Sequence, residues 1–568
     1  MDLKHLCPKI SPHLGSEDTA RVIDEWYHGC LNRHQHCSRR SFGNAASELR
    51  LPTRLIDVGS TGSKEFCLRT TGPGRLESLK GGYVTLSHRW GSLPFLQLDD
   101  DTKQDLEAGM PIMNLPATFR DAVSIAHRLG IQYLWIDSLC IKQDSRNDWL
   151  EEAPRMQHIY GGAAMNIVAG YSNGPESGLF HARDSHLVES FIAQAEWNDS
   201  PSKQYLIWNE TEFREDFAYA PLTRRGWVFQ ERLLAPRILQ FGKIQTYWRC
   251  SELFACESWP FGASSSEQGY TVRYGPDLDD LQLDPTSDNT VVRDQSYQTR
   301  KWELLVMQYS ACDLTKPQDK LIALSGVANW FRNVTGEQYV AGMWRSALPR
   351  LLCWKRDTRH SETPEARRPR PACYRAPSWS WASIDDPVFY PSCEDHGITR
   401  LENLIEITNV DIVAQGEGKT AQVSNGVLTA RGWLHPFKFL SRQRYEIKYK
   451  IGDEIRTGND NKFIVDAVLN ENMEGMELWV LPVRLVVSVG EGGSLVEVHG
   501  IVLKKQGDTE FYLRVGFLND SYFDDEVDER ALENDVLGAH AYMSFGTPTE
   551  GLFTFRRPLG EYVTISIF

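Results

Sequence analysis

The segment Tyr133-Leu-Trp-Ile-Asp137-Ser-Leu-Cys140-Ile-Lys-Gln143 constrains this chain more than any other. Four large, mostly apolar residues, Tyr133 to Ile136, run without a break into an aspartate and a serine. Such a run reads as a strand covered on both faces, as in the middle of a parallel sheet. Polar groups at the carboxyl end of such a strand stand where open α/β sheets place ligand sites. A second run, Tyr83-Val-Thr-Leu-Ser87, ends the same way, in His88-Arg89-Trp90-Gly91. Between the two runs, Phe119, Ala122, Val123 and Ala126 fall at i, i+3, i+4 and i+7, the apolar stripe of a helix. Pro116 suits its first turn and Gly130 closes it. The unit is strand–helix–strand, and the expected class is α/β.

A further helix is expected from Asp148, with Glu151 as an acidic variant of the capping box. Trp149, Ala153, Met156 and Tyr160 mark its buried face, and Pro154 interrupts it. Ala163 to Ala169 is a third strand candidate. Pro221-Leu-Thr223 opens another helix, with Thr223 as N-cap, on which Trp227, Glu231 and Leu234 share one face. A carboxylate on an apolar face needs a partner or a raised pKa. Glu231 is therefore either a site residue or the acid of a structural ion pair with Arg224, Arg225 or Arg232.

Tyr83-Val-Thr-Leu-Ser-His-Arg-Trp-Gly91, Tyr133-Leu-Trp-Ile-Asp-Ser-Leu-Cys-Ile-Lys-Gln143, Met156-Gln-His-Ile-Tyr160 and Arg225-Gly-Trp-Val-Phe-Gln-Glu231 resemble, in order and spacing, the successive blocks of the fungal heterokaryon-incompatibility (HET) domain. The resemblance extends to Pro317-Gln-Asp-Lys-Leu-Ile-Ala-Leu324 and Tyr374-Arg-Ala-Pro-Ser-Trp-Ser-Trp-Ala382. One departure is His88, where members more often carry Tyr. The resemblance implies an effector of fungal non-self recognition and programmed cell death. It also implies a core remotely similar to the Toll/interleukin-receptor (TIR) fold, whose enzymatic members cleave NAD between nicotinamide and ribose. In those members the catalytic glutamate follows a Trp on a helix, and Trp227-Val-Phe-Gln-Glu231 has that arrangement. Glu231 and Asp137 are thus the expected catalytic pair, with Ser87, Arg89, Trp90, Arg225 and Trp227 against the dinucleotide. NAD enters as a substrate, and no tightly bound cofactor is expected. The alternatives are a non-enzymatic interaction module and an enzyme of specialised metabolism on the same scaffold. No Gly-x-Gly-x-x-Gly follows either strand, which disfavours a dehydrogenase. Cys140 has no base at a diagnostic spacing and reads as a buried thiol.

The chain of 568 residues can hold several domains. The expected division is a lead-in over 1–78, the α/β domain over 79–258, a helical middle section with an acidic insertion and linker over 259–395, and a β-rich domain over 396–568. The middle section takes in helices at 302–309, 319–328 and 338–354, and Ser378-Trp-Ser-Trp381 alternates like a strand. From about 400, short alternating runs broken by Gly and Asn carry the β signal. A net charge of -15 argues against nucleic acid and anionic membrane as partners. The local exception, Lys355 to Arg370, reads as a solvated linker, and the acidic residues from Asp520 to Glu529 as a solvated loop rather than a calcium site. No stretch approaches the ~20 apolar residues of a membrane span. The chain start has no apolar core of a signal peptide, so a cytoplasmic protein with reduced thiols is expected. Expected partners are a second copy of the chain or another incompatibility protein.

Near the start, Cys30, His34, His36 and Cys37 lie close together. Zinc would need a fourth ligand, Cys7 or His28, but the spacing matches none of the strong finger patterns. The segment reads as a compact helical lead-in with buried thiols, and no metal site is assigned.

Overall fold

The computed structural model describes residues 9–35, 37, 51–71, 82–189, 191–195, 203–207, 214–264, 295–358, 368–391, 398–414, 422–443, 446–452, 454–459, 462–467, 476–490, 493–524 and 561–568. The chain divides into two units. The first holds residues 1–286, 312–314 and 323–330, and the second holds 287–311, 315–322 and 331–568.

The first unit is built on strands β1 (Arg54–Asp57), β2 (Glu65–Thr70), β3 (Tyr83–Ser87), β4 (Met110–Pro111), β5 (Tyr133–Ile136) and β6 (Met165–Val168). A separate hairpin, β7 (Phe191–Ala195) and β8 (Lys203–Ile207), precedes β9 (Arg237–Phe241), β10 (Thr246–Cys250), β11 (Leu253–Cys256) and β12 (Trp259–Ser264). Among the described residues the sheet order is β12-β11-β10-β9-β6-β3-β5-β1-β2-β4. The middle strands β9, β6, β3 and β5 are mutually parallel, and the outer pairs are antiparallel. β3, with all five residues buried, has parallel neighbours on both sides. β5, the run read from its apolar residues as mid-sheet, has three of its four residues buried and borders the antiparallel β1. β1 and β2 pair antiparallel, and the hairpin turn between them has Gly59 and Gly62 at positive φ.

Five helices matter to the site: α1 (Glu17–Arg33), α2 (Ala117–Arg128), α3 (Arg146–Glu152), α4 (Met156–Gly161) and α5 (Gly226–Leu234). α2 buries Phe119, Ala122, Val123 and Ala126, and Gly130 follows its end at φ 71°. α3 starts earlier than the sequence suggests. Its N-cap is Ser145, whose Oγ accepts from the Asp148 amide, while the Asp148 carboxylate is drawn away to Arg54 and the Lys142 amide. Pro154 sits in a single 3₁₀ turn that separates α3 from α4. The N-cap of α5 is Arg225, not Thr223, whose hydroxyl instead donates to the carbonyls of Ala218 and Ala220. Nor is α5 amphipathic, since every residue from Val228 to Leu234 is buried. Tertiary enclosure on all sides, invisible to a one-face reading, explains the difference.

The second unit carries the β-rich C-terminal region, whose long antiparallel strands include Val423–Gln443, Leu478–Gly490, Gly493–Lys505 and Phe511–Asp524. Helix Gln295–Ser310 belongs here. Residues 338–354 are not a helix but a hairpin, Tyr339–Val340 with Met343–Trp344, followed by the short helix Leu348–Leu351. Trp379 and Trp381 are fully buried, in a turn closed by a 3₁₀ helix rather than in a strand. The two outlying motifs of the resemblance meet in this unit. Lys320 Nζ donates to the Ile384 carbonyl at 2.6 Å, and Arg375 donates to the Pro317 carbonyl at 2.7 Å. Lys355 to Arg370 is no solvated linker throughout, for Arg356 is buried and Arg370 reaches Asp466 and the Arg514 carbonyl. Asp520 is likewise not in a solvated loop. It is buried against Arg456 at 2.9 Å, and burial pushes its carboxyl up to about 6. The acidic residues from 525 onward lie outside the described residues.

Candidate functional site

The parallel strands β3, β5 and β6 end side by side, and their carboxyl ends carry the polar residues. β3 delivers Ser87, His88, Arg89 and Trp90, and β5 delivers Asp137. Gly91 then reverses the chain at φ 67°, close enough to Gly174 that a Cβ would stand 3.2 Å from its Cα. α5 brings Glu231 to the same place.

Glu231 is only 7 % exposed, and its Oε2 accepts from Ser87 Oγ at 2.5 Å. Behind Ser87, Asn166 Nδ2 donates to the serine oxygen at 2.9 Å, and Thr85 Oγ1 donates to Asn166 Oδ1 at 3.0 Å. Protons thus point in one direction along Thr85, Asn166 and Ser87 to the carboxylate. Tyr160 of α4 also hydrogen-bonds Glu231, with its ring edge-on to Trp135 at 5.6 Å. Burial raises the Glu231 pKa to about 7. The Ser87 hydrogen bond opposes that rise, Asp137 adds to it, and Arg225 and Tyr160 oppose it. Among the described residues no arginine forms the ion pair that the sequence leaves open as an alternative. Arg225 donates to the His88 carbonyl at 3.0 Å, and Arg232 lies over the Phe217 ring at 5.0 Å.

Asp137 is the wetter acid, with its side chain a third exposed (33 %). Its Oδ2 accepts from Trp90 Nε1 at 3.0 Å, its Oδ1 accepts from the Ser138 amide at 2.8 Å, and His88 Nδ1 stands 3.6 Å away. The His88 ring fits edge-on to Phe119 at 4.9 Å and to Phe95 at 6.1 Å, the place of an aromatic side chain. Burial lowers its pKa, so it stays neutral beside Asp137.

Of the residues singled out from the sequence, Ser87, Asp137, Arg225 and Glu231 come together at the strand ends. Trp90 joins them through its indole N–H. Arg89 does not, because its guanidinium turns outward to Asn173 Oδ1 at 3.3 Å. Trp227 packs edge-on against Trp149 at 6.0 Å. Ser87 is enclosed rather than presented to a ligand. Sequence reasoning missed Thr85, Asn166 and, as a partner of Glu231, Tyr160. The available signal was Asn166 itself, an amide within the apolar run Met165-Asn-Ile-Val168 that a buried strand must satisfy. Burial pushes the Cys140 thiol up to about 12, which leaves it inert.

A second cluster lies elsewhere in this unit. Among the described residues, Cys30, His34 and Cys37 gather with Cys250 and not with His28. Cys7 and His36 fall outside the described residues.

The family model described as heterokaryon incompatibility protein (HET) matches residues 83–231. No curated protein and no solved structure matches the chain. Among the described residues no helix is long and apolar enough to cross a membrane.

Proposed function

With residues 83–231 a heterokaryon-incompatibility domain, we propose that the chain is an effector of non-self recognition and programmed cell death that hydrolyses NAD to nicotinamide and ADP-ribose. The observation that carries this reading is the Glu231 carboxyl, buried at the tips of β3 and β5 beside a second acid, Asp137, with its pKa raised to about 7. Cleavage breaks the bond between the ribose anomeric carbon and the nicotinamide nitrogen. The electron pair leaves with neutral nicotinamide and the ribose becomes oxocarbenium-like. A carboxylate held in a low-dielectric wall stabilises that positive charge far better than water does. Water then adds to the anomeric carbon and gives up a proton, which a carboxylate near neutrality accepts readily. Asp137, held by Trp90 and the Ser138 amide, orients the ribose hydroxyls. Trp90 offers a face for a base, and Arg89, half-buried and turned outward to Asn173, would have to swing inward to give the pyrophosphate bidentate hydrogen bonds.

The test is nicotinamide release from NAD by the purified full chain. Release by the wild type that falls at least 100-fold in Glu231→Gln, at unchanged melting temperature, supports the reading. The near-complete enclosure of Glu231 favours a second reading, in which Thr85, Asn166, Ser87 and Glu231 bolt together an interaction module. Absence of release at high protein concentration, with self-association intact, decides for that module.

A further inference from the structure

We propose that Cys30, His34, Cys37 and Cys250 form a structural zinc site that fastens the N-terminal helix to the sheet. Their four ligand atoms all lie within 4.8 Å of one another, and the three thiols are buried. His34 Nδ1 stands 3.3 Å from Cys250 Sγ and 3.8 Å from Cys37 Sγ. A zinc tetrahedron with Zn–S of about 2.3 Å and Zn–N of about 2.0 Å has edges of roughly 3.5–3.8 Å. The four atoms are therefore already near the corners a single ion would occupy.

The chain contributes these residues from separate places. Cys30 is in the last turn of α1, His34 is its C-cap, and Cys37 follows one turn later. Cys250 ends β10, more than 200 residues away and outside the matched domain. Trp26 and Tyr27 of α1 pack on Trp248 of β10, each pair of rings 6.5 Å apart, and this lays the helix end over the strand end.

Charge gives an independent argument. Arg237, 1 % exposed, opposes Cys250 in the β9–β10 register. Its Nε donates to Cys30 Sγ at 3.1 Å and one terminal nitrogen donates to the Ala164 carbonyl. The other terminal nitrogen has no hydrogen-bond partner, and no carboxylate among the described residues pairs with the guanidinium. A buried guanidinium without a carboxylate partner is costly. Three thiolates, a neutral imidazole and a dication carry a net single negative charge, which answers Arg237. An N–H donated to a metal-bound thiolate is the usual outer contact of such sites. Three thiolates and one imidazole around one closed position select zinc and leave no open ligand position, so the role is structural.

Full-length protein purified without chelator, with zinc in the growth medium, should contain one zinc per chain by plasma mass spectrometry. X-ray absorption should show three sulfurs at about 2.3 Å and one nitrogen. Cys250→Ser should lose most of the zinc, Cys250→His should keep it as a two-Cys, two-His site, and Cys140→Ser should keep it as a control for thiol loss. A wild-type protein without zinc overturns the proposal. So does equal zinc in wild type and Cys250→Ser, or a disulfide among Cys30, Cys37 and Cys250 on non-reducing mass analysis.

Discussion

At the scale of single residues, Glu231 decides how the site responds to pH. Its carboxyl titrates near 7 in the folded chain, against an ordinary glutamate value of 4.5. The folded state therefore binds the proton more tightly than the unfolded one. The stability this gives is fully present below about pH 4.5 and is lost as pH rises towards 7. The loss amounts to roughly 3 kcal/mol. Glu231→Gln should flatten that part of the stability profile, read as chemical-denaturation midpoints from pH 5 to pH 8. If the ionised carboxylate serves cleavage, NAD hydrolysis should rise through pH 7. Ser87→Ala removes the hydrogen bond that favours the carboxylate, and should move the rise about one pH unit towards alkaline. An unmoved profile would detach Ser87 from the titration.

At the scale of elements, the site depends on how four pieces are locked. Asn166, on β6, is the only described polar side chain in the run Met165–Val168, and it holds Thr85 and Ser87 of the neighbouring β3. Asn166→Ala strands the Thr85 hydroxyl in the core, leaves Ser87 held by Glu231, and should cost about 1–3 kcal/mol by denaturant unfolding. The opening of α3 is an easier test of local structure. Ser145→Ala removes its N-cap hydrogen bond and should cost about 1 kcal/mol. Asp148→Ala should cost more than a cap does, because Arg54 then loses its half-buried carboxylate partner. α2 was legible because one stripe faces the core and Gly130 ends it. α5 was not, because periodicity tells one buried face from one wet face and says little of a helix enclosed all round.

At the scale of the whole molecule, two units each rest on charges that burial makes expensive to leave alone. In the second, Arg514 and Asp466 are both fully buried, with Arg514 Nε 3.0 Å from the carboxylate. Arg514 also donates to the Leu352 carbonyl and stacks on Trp354 with 3.5 Å from guanidinium carbon to ring centre. Arg514→Met should destabilise the chain by about 3 kcal/mol, and pairing it with Asp466→Leu should recover much of the loss. Denaturation midpoints of the two single variants and the double variant give the coupling directly. In the first unit, Arg237 beside the thiol cluster poses the same problem, which a metal–thiolate complex answers.

What the sequence determined by itself is whatever is encoded over short range. The apolar runs at Tyr83–Ser87 and Tyr133–Ile136, the stripe on α2 and the order of the four motif blocks fixed the α/β class and placed Asp137 at a strand end. The alternating runs after residue 400 announced the β-rich region. Only the tertiary structure decided which distant side chains share a hydrogen bond. Ser87 and Glu231 are 144 positions apart, and Cys250 lies more than 200 residues beyond His34. The physical reason is range. Periodicity and capping act within a few turns of chain, whereas a carboxyl's pKa or a thiol's partner is set by whatever the fold stacks against it from elsewhere.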